Sequence, residues 1–119
     1  MIILILSILF FALAAMMNAV MDTLHFHFER SIFSSREESF WNPAVSWHTA
    51  KYLPYTRYKV DAWHLAKSSM IIFCALSAVC LIGGCDPTPP WWAYPMMLII
   101  YGVIWNGIFN LFYNTLLLK

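Results

Sequence analysis

The stretch IILILSILFFALAAMMNAVMDTLHFHFER, residues 2–30, decides the fold. Its apolar run through Val20 acquires Asn18, Asp22, His25, His27 and Glu29 with no Gly or Pro to end it. About 20 apolar residues rising 1.5 Å each cross roughly 30 Å of hydrocarbon, so this run has the length of a membrane span. It lacks the basic n-region and small-residue cleavage site of a secretory signal and reads as a retained span. Two further runs, Ala66 to Gly84 and Trp91 to Leu118, are as long and as apolar. Of the 119 residues, 61% are hydrophobic and only 11% charged, less than half the usual charged share of about 25% in soluble domains.

The sequence therefore predicts a single-domain, all-α integral membrane protein. Its three transmembrane helices are expected over about 2–28, 58–83 and 92–118. The first two are joined by an aromatic-rich interfacial loop over about 29–57. Phe33, Phe40, Trp41, Trp47, Tyr52, Tyr55 and Tyr58 supply the amphipathic rings that favour the headgroup level. Ser34 with Glu37 and Ser35 with Glu38 have capping-box spacing, and Pro43 and Pro54 bracket a short helix. Gly83-Gly84 should stop the second span, and Pro95 fits the first turn of the third.

Arg30, Arg36, Lys51, Arg57 and Lys59 crowd the long loop, whereas Gly84 to Pro90 holds Asp86 and no cation. The positive-inside bias places that loop and Lys119 in the cytoplasm and the N-terminus outside, in a bacterial inner membrane. A net charge of +1 gives no ground for a nucleic-acid partner. Cys74 and Cys80 fall inside the second span as apolar filler, and Cys85 follows it without a metal-ligand spacing.

At 100° per residue, Asn18, His25 and Glu29 lie within about 60° of Asp22, while His27 points away. On the second helix His64 and Ser68 lie within about 60° of Asp61, repeating the acid-then-histidine step. Asn106, Asn110 and Tyr113 share a face of the third. Ionisable groups within a span are costly and normally face protein or a water-filled cavity, so one shared site is the economical arrangement. Asp22, His25, Asp61 and His64 suit a divalent ion such as Zn, Mn or Fe, or acid–base chemistry without one, as catalytic groups. Asn18, Glu29, Ser68, Asn106, Asn110 and Tyr113 would surround them.

The plainer readings are structural. Asp22 can pair with a loop cation, Asn106 and Asn110 can act as interhelical hydrogen-bond glue, and His27 and His48 can sit at the interface. The Trp and Tyr rings read as membrane anchors or packing, although Trp41, Trp47 and Trp63 could roof a cavity, and Lys67 would snorkel to the surface.

Asn18-x3-Asp22-x2-His25, FWNPAVSW from Phe40 to Trp47 and DAWH from Asp61 to His64 together resemble a pattern in small, functionally uncharacterised bacterial integral membrane proteins. The pattern covers about the first half of the chain. The resemblance implies that Asn42 and Ser46 join Asn18, Asp22, His25, Asp61 and His64 in one recurring site, with the loop as a lid. It implies no activity.

Two functions are expected from these features. One is a metal-dependent hydrolase or transferase acting on a lipid or other amphiphile. The other is a non-enzymatic subunit or assembly factor whose polar stripe packs on a partner helix. Three helices enclose a cavity poorly, so a homo-oligomer or a membrane-protein partner is expected under either, with Gly102 allowing close approach.

Overall fold

The computed structural model describes residues 2–49, 51–84 and 88–119; the sequence readings at Cys85 and Asp86 lie outside them. The fold is all α, and three helices are long and apolar enough to cross a membrane. Helix α1 spans Ile2–Phe26, α4 spans Ala62–Gly84 and α5 spans Ala93–Leu111, the last continued by one π-helical turn, Phe112–Leu116. Two short helices, α2 (Glu38–Trp41) and α3 (Pro43–Thr49), lie between α1 and α4. Helix α1 is the middle of the three long helices; α4 and α5 both pack on it and scarcely meet each other. The result is a layer rather than a closed bundle, measuring 51 × 37 × 20 Å.

Small residues and hydroxyls set the α1–α4 contact. Ala14, Ala15 and Ala19 are fully buried on α1, and Ala66 is buried on α4. In the apolar half, Ser7 Oγ donates to the Ser77 carbonyl at 2.7 Å and Ser77 Oγ donates back to the Ser7 carbonyl at 2.8 Å. Tyr101 Oη from α5 reaches Ser7 Oγ at 2.6 Å, so one hydroxyl ties three helices. Phe10 stacks on Phe73 nearby. A Cβ on Gly84 would lie 2.7 Å from Leu4 Cδ2, so glycine here permits close approach.

At the other end Leu24, Phe28 and Ala62 form a small core that Val20, Phe33, Phe40 and Trp41 cover. The chain's last residues are clasped there. Ile32 N–H donates to the Leu117 carbonyl at 3.0 Å, Lys119 N–H to the Arg30 carbonyl at 2.8 Å, and Lys119 Nζ to Ser34 Oγ at 2.8 Å.

Several expected boundaries shift. Helix α1 stops at Phe26, and Phe28–Arg30 forms a 3₁₀ turn, so Glu29 leaves the helical stripe. Neither Ser34 nor Ser35 caps α2, whose N-cap position is Glu37 with no side-chain cap bond. The second span begins at Ala62 rather than near Tyr58, because Lys51 to Val60 folds as a hairpin. Tyr52 bridges Lys59, and the Leu53 and Val60 N–H groups donate across at 3.0 Å. Pro43 opens α3 as expected for a first-turn proline.

Candidate functional site

The chemistry-bearing residues gather where α1 ends, α3 crosses and α4 begins. Asp61 is the N-cap of α4: its Oδ1 accepts the His64 backbone N–H at 2.8 Å, satisfying one donor that a helix start leaves open. The same carboxylate receives the His64 ring, with Nδ1 2.9 Å from Oδ1 and 2.8 Å from Oδ2. Asp61 is 0% exposed, and the His64 side chain 26%. Because Nδ1–H donates to the acid, the neutral ring carries its lone pair on Nε2. A fully buried carboxylate thus holds a part-exposed imidazole in one tautomer and orientation.

A second set of bonds fixes the backbone around the pair. Tyr58 Oη donates to the His64 carbonyl at 2.6 Å and, having spent its proton, accepts from Ser68 Oγ at 2.6 Å. Ser68 therefore anchors the hairpin to α4. Lys59 Nζ donates to the Trp47 carbonyl, tying the hairpin to α3. Asn42 is the N-cap of α3, its Oδ1 accepting the Ala44 N–H at 3.0 Å. The FWNP string is thus a helix start: an Asn cap followed by a proline at the first helical position.

Aromatic rings join the two halves of the region. His25 lies 5.6 Å from Trp47, Trp47 5.7 Å from Trp63, and Trp63 5.0 Å from His64, between ring centroids. Two indoles thus stand in series between the two imidazoles. On the His25 side a cleft of about 440 Å³ is lined by His25, His27, Glu29, Arg30, Asn42 and Trp47, with apolar neighbours. Arg30 Nη2 donates to His27 Nδ1 at 3.3 Å, and the His27 ring packs on Tyr113 at 5.2 Å.

The candidates named from sequence therefore divide. Asp61, His64 and Ser68 form one connected unit. His25, Glu29 and Asn42 line the cleft, where His27 and Arg30 join them. Asn18 and Asp22 are half-buried on α1 behind that cleft. Tyr113 reaches the cleft's edge through His27. Asn106 and Asn110 are exposed on α5 and bond to their own helix. Among the described residues no group of three or more His, Cys, Asp and Glu side chains is close enough to hold a metal ion. The two acid–histidine pairs are thus not gathered into one four-ligand shell.

Two buried hydroxyls stand apart from these networks. Thr23 Oγ1 and Ser46 Oγ, in residues 0% and 1% exposed, have no hydrogen-bond partner among the described residues. Ser46 was named only through the loop pattern, and Thr23 not at all. Continuing the antiparallel register of Ser7 with Ser77 puts Thr23 at the level of Asp61. Ser46 precedes Trp47. Both hydroxyls thus keep spare hydrogen-bonding capacity in the buried interior, where an unmade bond costs about 1–3 kcal/mol. The Ser7–Ser77–Tyr101 clamp was also missed. Its signal was available: Ser7 is the one polar residue from Ile2 to Met17.

Comparison of the chain with protein-family models, curated proteins and solved structures finds no match. The geometry alone carries the functional reading.

Proposed function

We propose that this chain is a membrane enzyme whose Asp61–His64 pair acts as a general base on an amphiphile held at the cytoplasmic leaflet. The observation that carries this reading is the buried carboxylate on His64 Nδ1, which leaves Nε2 as the basic atom of a part-exposed ring. His64 Nε2 would take the proton from a water or substrate hydroxyl as its oxygen attacks an ester carbon or phosphoester phosphorus, and the imidazolium would return that proton to the alcohol oxygen whose bond breaks. Asp61 would stabilise the imidazolium that forms. A positioned base of this kind contributes about 10²–10⁴-fold. The cleft lies on the His25 side of the two indoles and is not lined by His64, so it would hold the rest of the amphiphile rather than the reacting bond. It sets His25, His27, Arg30 and Glu29 against Trp47 and Phe26, polar groups and apolar walls suited to a headgroup and the start of its chain.

The experiment compares wild type with Asp61→Asn and His64→Gln, each expressed in membranes whose total lipid is then profiled by mass spectrometry. Asparagine caps helices as well as aspartate does, so Asp61→Asn keeps the start of α4 while removing the charge that orients the ring. The expected outcome is a lipid product formed by wild type and reduced at least about 100-fold in both variants at equal protein level. Identical lipid profiles for all three proteins would remove the enzymatic reading.

A further inference from the structure

Helix α5 has no buried residue along its length, although it is one of the three membrane-crossing candidates. Its exposed face carries a ladder of amides. Asn106 Nδ2 donates to the Gly102 carbonyl, Asn110 Nδ2 to the Asn106 carbonyl, and Asn114 Nδ2 to Asn110 Oδ1, each at 2.8 Å. A side-chain amide has two N–H donors and a two-lone-pair oxygen, so each rung keeps one N–H over. Asn106 Oδ1 accepts nothing among the described residues. In the candidate span Ala93–Leu116, Asn106 lies within about 3 Å of the midpoint at 1.5 Å rise per residue. Neither water nor a lipid headgroup reaches that depth, and hydrocarbon offers no hydrogen bond. The spare groups need a protein partner.

We propose that the Asn106–Asn110–Asn114 face of α5 is the contact between copies of this chain within the membrane. Three observations favour a second copy as the occupant. An amide is self-complementary, so a rung can donate to and accept from its own image. Copies inserted in one orientation hold each rung at the same depth, so Asn106 meets Asn106 and Asn110 meets Asn110 with no adjustment of register. The span Ala93–Leu116 contains no charged residue, so identical faces meet without repulsion. Space is also provided: a Cβ built on Gly102 or Gly107 would find nothing within 4 Å. Gly102 stands one turn before Asn106, where its missing side chain lets two backbones come close.

The test measures the mass of the full chain in lipid nanodiscs, for wild type, Asn106→Leu with Asn110→Leu, and Asn106→Gln with Asn110→Gln. Leucine makes the span more apolar, so insertion is preserved and only the amides are lost. A dimer or larger closed oligomer is expected for wild type. Leucine should weaken it by about tenfold or more, and glutamine should restore a substantial part. In membranes, Val103→Cys in a background with the native cysteines replaced by alanine should crosslink to itself, while Ile72→Cys on α4 should not. Monomeric wild type without a Val103→Cys crosslink overturns the proposal. So does an oligomer that the leucine pair leaves unchanged, or a crosslink only to a protein of different mass.

Discussion

Asp61 performs two tasks with one carboxylate, capping a helix and holding an imidazole, and substitutions separate them. Asp61→Ala removes both and should destabilise the fold by about 1–2 kcal/mol through the lost cap, before any effect on chemistry. Asp61→Asn should leave stability nearly unchanged, as read by unfolding in mixed detergent micelles. A drop as large as that of alanine would mean that the charge itself holds the fold. At the opposite end of α1, Ser7→Ala should cost about 1–2 kcal/mol in the same assay, since that hydroxyl donates to the Ser77 carbonyl and accepts from Tyr101 Oη. Tyr101→Phe should cost less, because only one of those contacts is lost.

Short segments show what could be read in advance and what could not. The apolar runs, the glycine stop and the proline starts were legible because each is a local rule: hydrocarbon thickness, freedom from Cβ, or a fixed φ. The acid-then-histidine step on α4 was legible for the same reason, since the ring and carboxylate sit one turn apart. Whether two such steps meet was not legible, because helical-wheel angles say nothing of how neighbouring helices are turned or what lies between them. Trp47 and Trp63 lie between, and the 3₁₀ turn at Phe28–Arg30 breaks the angular count for Glu29. The hairpin over Lys51–Val60 also escaped notice, for a reason visible at its tip. Tyr55, fully exposed, adopts φ 62°, a left-handed conformation that costs a side-chain-bearing residue about 1–2 kcal/mol. Tyr55→Gly should remove that cost without loss of packing. Slower hydrogen exchange at the Leu53 and Val60 amides, which close the hairpin, is the expected sign; faster exchange would show that the tyrosine ring holds the tip in place.

Across the whole molecule the layered arrangement separates two polar features. The Asp61–His64 unit lies where α1, α3 and α4 meet, and the amide ladder faces outward from α5 on the other flank. Lipid turnover in the Asn106→Leu, Asn110→Leu protein should therefore stay within about twofold of wild type at equal protein level, as independent distant sites tend to behave additively. A larger loss would mean that the site is completed by the neighbouring copy. The central place of α1 also bears on biosynthesis. The helix made first is the one on which both later helices rest, so α4 and then α5 each emerge beside a template already lodged in the bilayer. Neither has to displace an earlier neighbour, and the chain can acquire its native contacts in the order in which it is translated.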